Sequence, residues 1–454
     1  MSPICGIMVL ALANLGTDPN DLVLKLGSPR YVQREEAAAL LEKLGKDAFP
    51  ALKAGRSARD PEIRNRATVI LDRIESDLLV RATMVRLSLR EETLPNAIGI
   101  LEAASGLDVE ILGDAQPVRT RRVSTALDGP VPFWSALEEL ASAGGLEISS
   151  GPNLGGLANA NMPSPSVGVF AVPSGTTAAS SSISGPFRLS LTQMTLHREL
   201  RFGVGAQAPT SPSRPTPARP VGRDNPSSEQ FMLNLQLAAE PRMSVAMNGP
   251  LILLQATDDR GNSLIPVRVE GSVFQNNSSV NRFDFGASAC LQVGIPLEYP
   301  DRPGRFITTL KGKIPIAVSA RKEEPLVVGL ADGKGKTLRS ADSVLTLHDV
   351  RSETNSDSML VELSIRGLVA TSDASLQNEI ALSSDSPQGQ LELVDADGKL
   401  LTQWHQSSQT RGSDGVRITL RVLTAEGRPA QLRYYDLVRA SADVPFLFRN
   451  IKMP

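Results

Sequence analysis

The chain is short of the side chains from which reactive centres are usually built. It has 2 Cys, 3 His, 2 Trp and 4 Tyr among 454 residues. Cys5 falls in an N-terminal apolar run expected to be removed on export, which leaves Cys290, and one cysteine cannot form an intramolecular disulfide or a cysteine-rich zinc site. Cys5 has no Leu three residues before it and makes a poor lipid-anchor site. His197, His348 and His405 are far apart in sequence and no HExxH occurs, so a histidine metal site would have to be assembled from distant strands. No GxSxG nucleophile elbow is present. Aromatic content of 4% leaves few stacking platforms for bases or sugars. A formal charge of −2 gives no basic field to hold a nucleic acid. No residue is therefore nominated as catalytic, metal-binding or cofactor-binding.

Three segments imitate chemistry that they lack. Asp332-Gly333-Lys334-Gly335-Lys336-Thr337 ends like a phosphate-binding loop, but Leu330 stands where the first glycine is needed and no helix follows. It reads as a hairpin turn with its lysines in water. The acidic turns Asp258-Asp259-Arg260-Gly261-Asn262 and Asp395-Ala396-Asp397-Gly398 lack the ligand ladder and bidentate Glu of a calcium loop, so hairpin chemistry accounts for both. In Glu240-Pro241-Arg242 the two charges share one face at period two. A structural ion pair with Arg321 or Lys322 is the expectation there.

Long apolar runs are missing too. Residues 4–12 form an apolar run too short to span a bilayer as a helix, which needs about 20 residues. Ala11-Leu12-Ala13 has the small-x-small form of a signal-peptidase site, although no Lys or Arg precedes the run. Residues 1–13 are expected to be a signal peptide and the protein to be exported. Every later long apolar stretch is broken by charge or Pro, so no transmembrane segment is expected beyond the signal.

What the chain has is modules. Its length suggests about three domains, and 41% apolar content is enough for real cores. Over residues 18–80 the pattern is helical. Residues 31–44 are rich in Ala, Leu, Glu and Lys. Asp60-Pro61 opens a second helix, with Asp60 as N-cap and Pro61 at the first helical position. Arg34, Ala37, Leu40, Leu41 and Leu44 correspond to Arg64, Ala67, Ile70, Leu71 and Ile74, each pair 30 positions apart (64 − 34). Leu44-Gly45, Ala48, Pro50 and Leu52 lie between them. A long helix followed by LGxxAxPxL resembles a HEAT repeat, which implies a surface that binds other proteins.

A second repeat covers residues 84–150. Ala97, Ile98, Leu101, Gly106 and Leu107 match Ala136, Leu137, Leu140, Gly145 and Leu146, each pair 39 apart (136 − 97). Each copy reads as strand, helix, Gly cap and short strand. Two β-α-β units are expected. They resemble the short N-terminal domains of secretins and TonB-dependent receptors, and that resemblance implies docking to other envelope proteins.

Residues 151–184 and 203–228 are rich in Gly, Ser, Thr and Pro and read as flexible, disordered linker. Arg214, Arg219 and Arg223 make the second tract mildly basic. From Phe187 onward apolar residues alternate, punctuated by Asp332-Gly333, Asp357-Ser358, Asp397-Gly398 and Glu426-Gly427. The expectation is a C-terminal antiparallel β-sandwich region. One domain would cover 185–366 with the Pro-rich insertion at 203–228, and a second β-rich subdomain 387–454.

The fold class read from this pattern is multidomain α+β: a helical hairpin module, two β-α-β units, a linker and an antiparallel sandwich region. The functional reading is an exported, modular protein-binding or scaffold protein of the cell envelope, with no catalysis. The alternative is a hydrolase or carbohydrate-binding protein with its site on the sandwich loops.

Overall fold

The computed structural model describes residues 18–111, 119–150, 167–171, 180–200, 227–266, 290–340, 342–353, 357–367, 387–412, 415–425 and 427–454. The expected signal peptide, the Pro-rich residues 203–226 and much of the 151–184 tract lie outside them. The protein is β-rich and of mixed α+β class. It divides into two compact units, Met1–Leu79 and Val80–Pro454.

The first unit is helical. Helix α1 (Pro19–Lys25) starts at Asp18, whose carboxylate accepts from the Asn20 N–H at 2.9 Å. Helix α2 is Tyr31–Leu44 and ends at Gly45, whose φ of +59° favours glycine. A 3-10 turn (Gly45–Ala48) leads to α3 (Phe49–Gly55), and α4 follows (Pro61–Leu79). Asp60 accepts from the Glu62 N–H at 2.8 Å, the N-cap bond expected there. The 30-residue repeat reaches back into α1, which the sequence pattern did not show. Leu22 and Leu52, Ala37 and Ala67, and Leu41 and Leu71 are buried in one core. Arg34 donates from Nη1 to the Ser28 carbonyl and Arg64 to the Ala58 carbonyl, each at 2.8 Å.

In the second unit the two β-α-β copies are fused. The first is β1 (Met84–Val85), β2 (Ser88–Thr93), α5 (Leu94–Ser105) and β3 (Val109–Ile111). The second is β4 (Arg122–Ala126), β5 (Val131–Pro132), α6 (Phe133–Gly144) and β6 (Leu146–Ser150). Strand β1 pairs with β5 and β2 with β4, all antiparallel, so each copy completes the other. Both helices end at left-handed glycines, Gly106 and Gly145. They share one core through Leu94, Leu101, Phe133, Trp134 and Leu137.

The linker expectation fails at two places inside 151–184. Val167–Ala171 is strand β7, lying between β3 and β6, and Ser181–Ser184 is strand β8. Gly/Ser/Pro content averaged over the tract hid a short alternating run, Val167-Gly168-Val169, whose valines are both 1% exposed.

Strands β8, β9 (Phe187–Leu200), β10 (Ser227–Ala239) and β13 (Cys290–Leu297) form one sheet in the order β13-β10-β9-β8. A second sheet is built on β14 (Phe306–Arg321), with β11 (Ser244–Met247) and β12 (Ile252–Asp258) sharing one edge. Residues 307–310 and 314–318, which alternation splits in two, belong to this one strand. The chain then runs through β15 (Leu326–Gly329), β16 (Thr337–Arg339), β17 (Ser343–Ser352) and β18 (Ser358–Gly367). Next come β19 (Leu391–Val394), β20 (Leu400–Leu401), β21 (Trp404–Gly412), β22 (Gly415–Leu423) and β23 (Gln431–Tyr434). These make two sheets, β15-β23-β19-β20 and β16-β17-β18-β22-β21, around a single core that includes Leu347, Leu363, Leu393, Leu420 and Leu432. The last strand, β24 (Leu437–Lys452), returns to pair with β14 along its length.

This corrects the expected domain boundary. A cut at 367–386 would divide the core that β18 and β19 share. The inserted module runs from β15 to β23, and its two crossings meet where the Lys322 N–H donates to the Asp436 carbonyl at 2.8 Å. Alternation alone would join residues 432–438 into one strand, but β23 ends at Tyr434 and β24 begins at Leu437, on either side of that crossing.

Two glycines test this packing. A Cβ on Gly312 of β14 would lie 2.5 Å from the Phe446 ring and 2.6 Å from the Ile252 carbonyl. Gly312→Ala is expected to destabilise by about 1–3 kcal/mol, read as a lower urea midpoint. A Cβ on Gly99, inside α5, would meet nothing within 4 Å. Gly99→Ala is expected to stabilise by about 0.5–1 kcal/mol. Equal midpoints for the two variants would contradict the packing described.

Candidate functional site

The helical unit has a surface groove of about 200 Å³ lined by Leu22, Lys25, Gln33, Glu36, Ala37 and Leu40. Val32, Glu36 and Leu40 are four apart on α2 and form one stripe, with Gln33 and Ala37 beside it. On this stripe Val32 and Leu40 are exposed, Val32 by 63% and Leu40 by 43%. The repeat explains why a leucine is left out. Thirty residues on, Ile63 and Ile70 stand where Gln33 and Leu40 stand, and both are buried. The first hairpin covers the second: a Cβ on Gly27 would touch Ile63, and Val23 packs against Gly55. The groove is the equivalent face of the first hairpin, left uncovered among the described residues. Charges of both signs, Lys25 and Glu36, flank its apolar floor.

In the second unit the polar groups of chemical interest are occupied in holding the fold. Glu240, at the end of β10, is 0% exposed. Its Oε1 accepts from the Thr83 N–H at 2.7 Å, and its Oε2 from the Thr83 hydroxyl at 2.6 Å and Arg242 Nε at 3.0 Å. Arg242 also donates from Nη2 to the Arg81 carbonyl at 2.8 Å. The expected pairing of Glu240–Arg242 with Arg321 or Lys322 is not formed. Arg321 instead donates to Glu392 at 2.5 Å and to the Gly389 carbonyl at 2.6 Å, and Lys322 pairs with Asp342 at 2.8 Å. The reason is topological, since β14 ends at the root of the inserted module while Glu240 faces the fused β-α-β core.

A second buried node lies at that root. The Ser343 hydroxyl donates to Asp436 Oδ1 at 2.5 Å, and both residues are buried. Tyr434 lies beside them. Burial pushes its phenol up to about 12; the Ser343 hydrogen bond opposes that shift, and the charge of Asp436 adds to it. Sequence reading missed this node because Ser343 and Asp436 are 93 residues apart.

The acidic turns behave as hairpin chemistry predicts. Asp258 takes the N–H of Arg260 and Asn262, the Asn262 side-chain amide and the Gly304 N–H, at 2.7–3.0 Å. Burial alone would raise its pKa, but these donors outweigh burial and hold it below the ordinary range. With its lone pairs so engaged, the carboxylate is a structural acceptor. Asp395 accepts from the Asp397 and Lys399 N–H groups. The lysines of the 332–337 turn lie in water as expected, each in a surface ion pair: Lys334 with Asp349 and Lys336 with Asp332, both at 2.8 Å.

The histidines do not converge. His197 faces Gln230 on the neighbouring strand, and His348 shares a hydrogen bond with Ser364 at 2.9 Å. His405 is opposite Arg421. Ser364 and Arg421 are on adjacent strands, with four residues of register, about 13 Å, between their rows. Trp134 and Trp404 are core residues. Among the described residues no group of three or more His, Cys, Asp or Glu is placed to hold a metal ion. No helix among them is long and apolar enough to cross a membrane. No protein-family model, curated protein or solved structure matches the chain.

Two measurements check the buried nodes. Glu240→Gln would aim an amide at the donors of Thr83 or Arg242. It is expected to cost about 3 kcal/mol, seen as a lower urea midpoint, whereas a mere surface pair would change it by well under 1 kcal/mol. Tyr434 sets an alkaline limb. Its folded pKa lies above the ordinary 10.0, so its contribution to stability is complete below pH 10 and is lost as pH rises toward 12. Tyr434→Phe should flatten the fall of stability between pH 10 and 12; an unchanged slope would remove the phenol from that limb.

Proposed function

We propose that the chain is an exported, modular protein-binding or scaffold protein of the cell envelope. The observation that carries this reading is the groove of the helical unit. Leu40 and Gln33 occupy the register at which Ile63 and Ile70 are buried by a neighbouring hairpin. An amphipathic helix of a partner would bury Leu40 and Val32 as the first hairpin buries Ile63, while Lys25 and Glu36 would fix its orientation. The HEAT-like repeat supports the same use of that face. The secretin-like short-domain resemblance of the fused β-α-β module supports docking among envelope proteins, with the sandwich-like sheets serving as the scaffold behind it. The apolar run at residues 4–12 followed by Ala11-Leu12-Ala13 supports export.

The test uses the full chain with Leu40→Glu and Val32→Glu, both at exposed positions where folding stability should move by less than about 0.5 kcal/mol. Cross-linking in intact cells, followed by identification of the adducts, should give a discrete partner with the unaltered chain and at least a tenfold loss with either variant. The same material should lie outside the cytoplasm, with its N-terminus near Asn14. Intact Met1 in a cytoplasmic fraction, or adducts indifferent to both substitutions, would overturn the reading.

A further inference from the structure

The fused β-α-β module is joined in two unlike ways. On one side its halves touch directly, β2 on β4 and β1 on β5. On the other side the closing strands β3 and β6 do not pair. Strand β7 lies between them, parallel to β3 and antiparallel to β6. The gap is one strand wide, so β3 and β6 are about 9–10 Å apart, twice the ordinary strand spacing. What fills it is a short piece of the tract between the module and β8. Val167 and Val169 face the core, each 1% exposed, and join Leu107, Val109, Leu146 and Ile148 there. Val167 is opposite Val109 and Ser150, and Val169 opposite Ile111 and Ile148. The pairing is brief: three register positions with β3 and five with β6. On both sides β7 continues into sequence rich in Gly, Ser, Ala and Pro, at 151–166 and 172–179.

We propose that the gap between β3 and β6 is a strand-acceptor slot, filled in this chain by its own β7 and open to exchange with an extended segment of a partner protein. Such a segment carries β-branched residues at alternating positions, the spacing of Val167 and Val169. The backbone supplies affinity, because both slot edges offer ladder groups to whichever strand enters. The two inward pockets supply selectivity. Its ladder is only three and five positions long on the two sides, so its release opens a small unit rather than the whole module. The tether raises the effective concentration of β7 in its own slot to the millimolar range, so an incoming strand binds well only when β7 is weakened or displaced. The proposal takes its biological purpose from the protein-binding reading above, but its test does not depend on finding that partner.

The probe is a fluorescent peptide of residues 165–173, added to the full chain. With Val167→Asp and Val169→Asp together, β7 can no longer seat its side chains. The peptide is then expected to bind at least tenfold more tightly than it binds the unaltered chain, and a peptide carrying the same two Asp residues is expected not to bind. A folded double variant that ignores the peptide, or binds both peptides alike, would overturn the proposal. Should the double variant unfold, hydrogen exchange on the unaltered chain decides. The amides of β6 and β7 are expected to exchange at least tenfold faster than those of α5 and α6. Exchange of β7 only at the rate of those helices would mean that the slot never opens, and the proposal fails. Peptide exchange with no cellular partner would instead leave the slot standing and count against the protein-binding reading.

Discussion

The pairing of β14 with β24 is the constraint around which the second unit is arranged. Register runs from Phe306 opposite Lys452 to Arg321 opposite Leu437. The paired residues are between 116 (437 − 321) and 146 (452 − 306) positions apart in sequence. Closing so long a loop costs entropy, though the cost grows only with the logarithm of length. The inserted module offsets much of it by folding around its own core, which brings residues 322 and 436 together as a ready-made closure. A long strand then pairs on a preset register, with Val444, Phe446 and Phe448 buried opposite Ile314, Gly312 and Leu310. At Gly312 a side chain would meet the Phe446 ring of β24 on one side and the Ile252 carbonyl of β12 on the other, which leaves no room for one.

Two seams depend on that frame, and each is held by a buried polar node. At one, Glu240 collects three donors from the fused β-α-β core and from Arg242. At the other, Ser343 and Asp436 close the root of the inserted module under Tyr434. A buried carboxylate is costly unless all its donors are in place. Such a node therefore tolerates one arrangement of the two parts and penalises slippage. Trp134 adds to the first seam, donating from Nε1 to the Pro186 carbonyl at 2.9 Å, and Arg188 pairs with Glu138 at 2.7 Å. Groups that resemble catalytic acids in isolation are here the fasteners between modules.

Much of the local structure was legible in the sequence, because local rules govern it. Asp60-Pro61 marked α4, the glycines at 106 and 145 marked the ends of α5 and α6, and the two repeats gave the register of both helical cores. The failures share one cause. Strand partners are chosen over distances at which alternation is silent. Leu432 to Val438 reads as a single strand because nothing local says that Leu432 pairs with Val328 and Leu393 while Val438 pairs with Ala320. The expected cut at 367–386 followed composition, whereas the core joining Leu363 to Leu393 ignores it. The groove has a signal in the sequence: Gln33 stands in the register of Ile63, a polar residue at a core position, as suits a face that the unit's described residues leave uncovered.

The groove and the β7 slot arise from the same arithmetic of repeats. A repeated unit buries its apolar face on the next copy, so a short array must finish with a face that no copy covers. In the helical unit none of that unit's described residues covers that face, which is softened by Gln33 and Glu36 but still presents Leu40 and Val32. In the β-α-β module the two copies cover each other on the β2–β4 side and cannot do so on the β3–β6 side. There the chain supplies a strand of its own, taken from sequence whose composition otherwise favours no structure. Val167 and Val169 seal the slot, and the strand that carries them pairs over three positions with β3 and five with β6. A strand that is short and tethered by its own chain protects the slot by side-chain burial while leaving it open to a longer strand, which could extend the ladder on both edges.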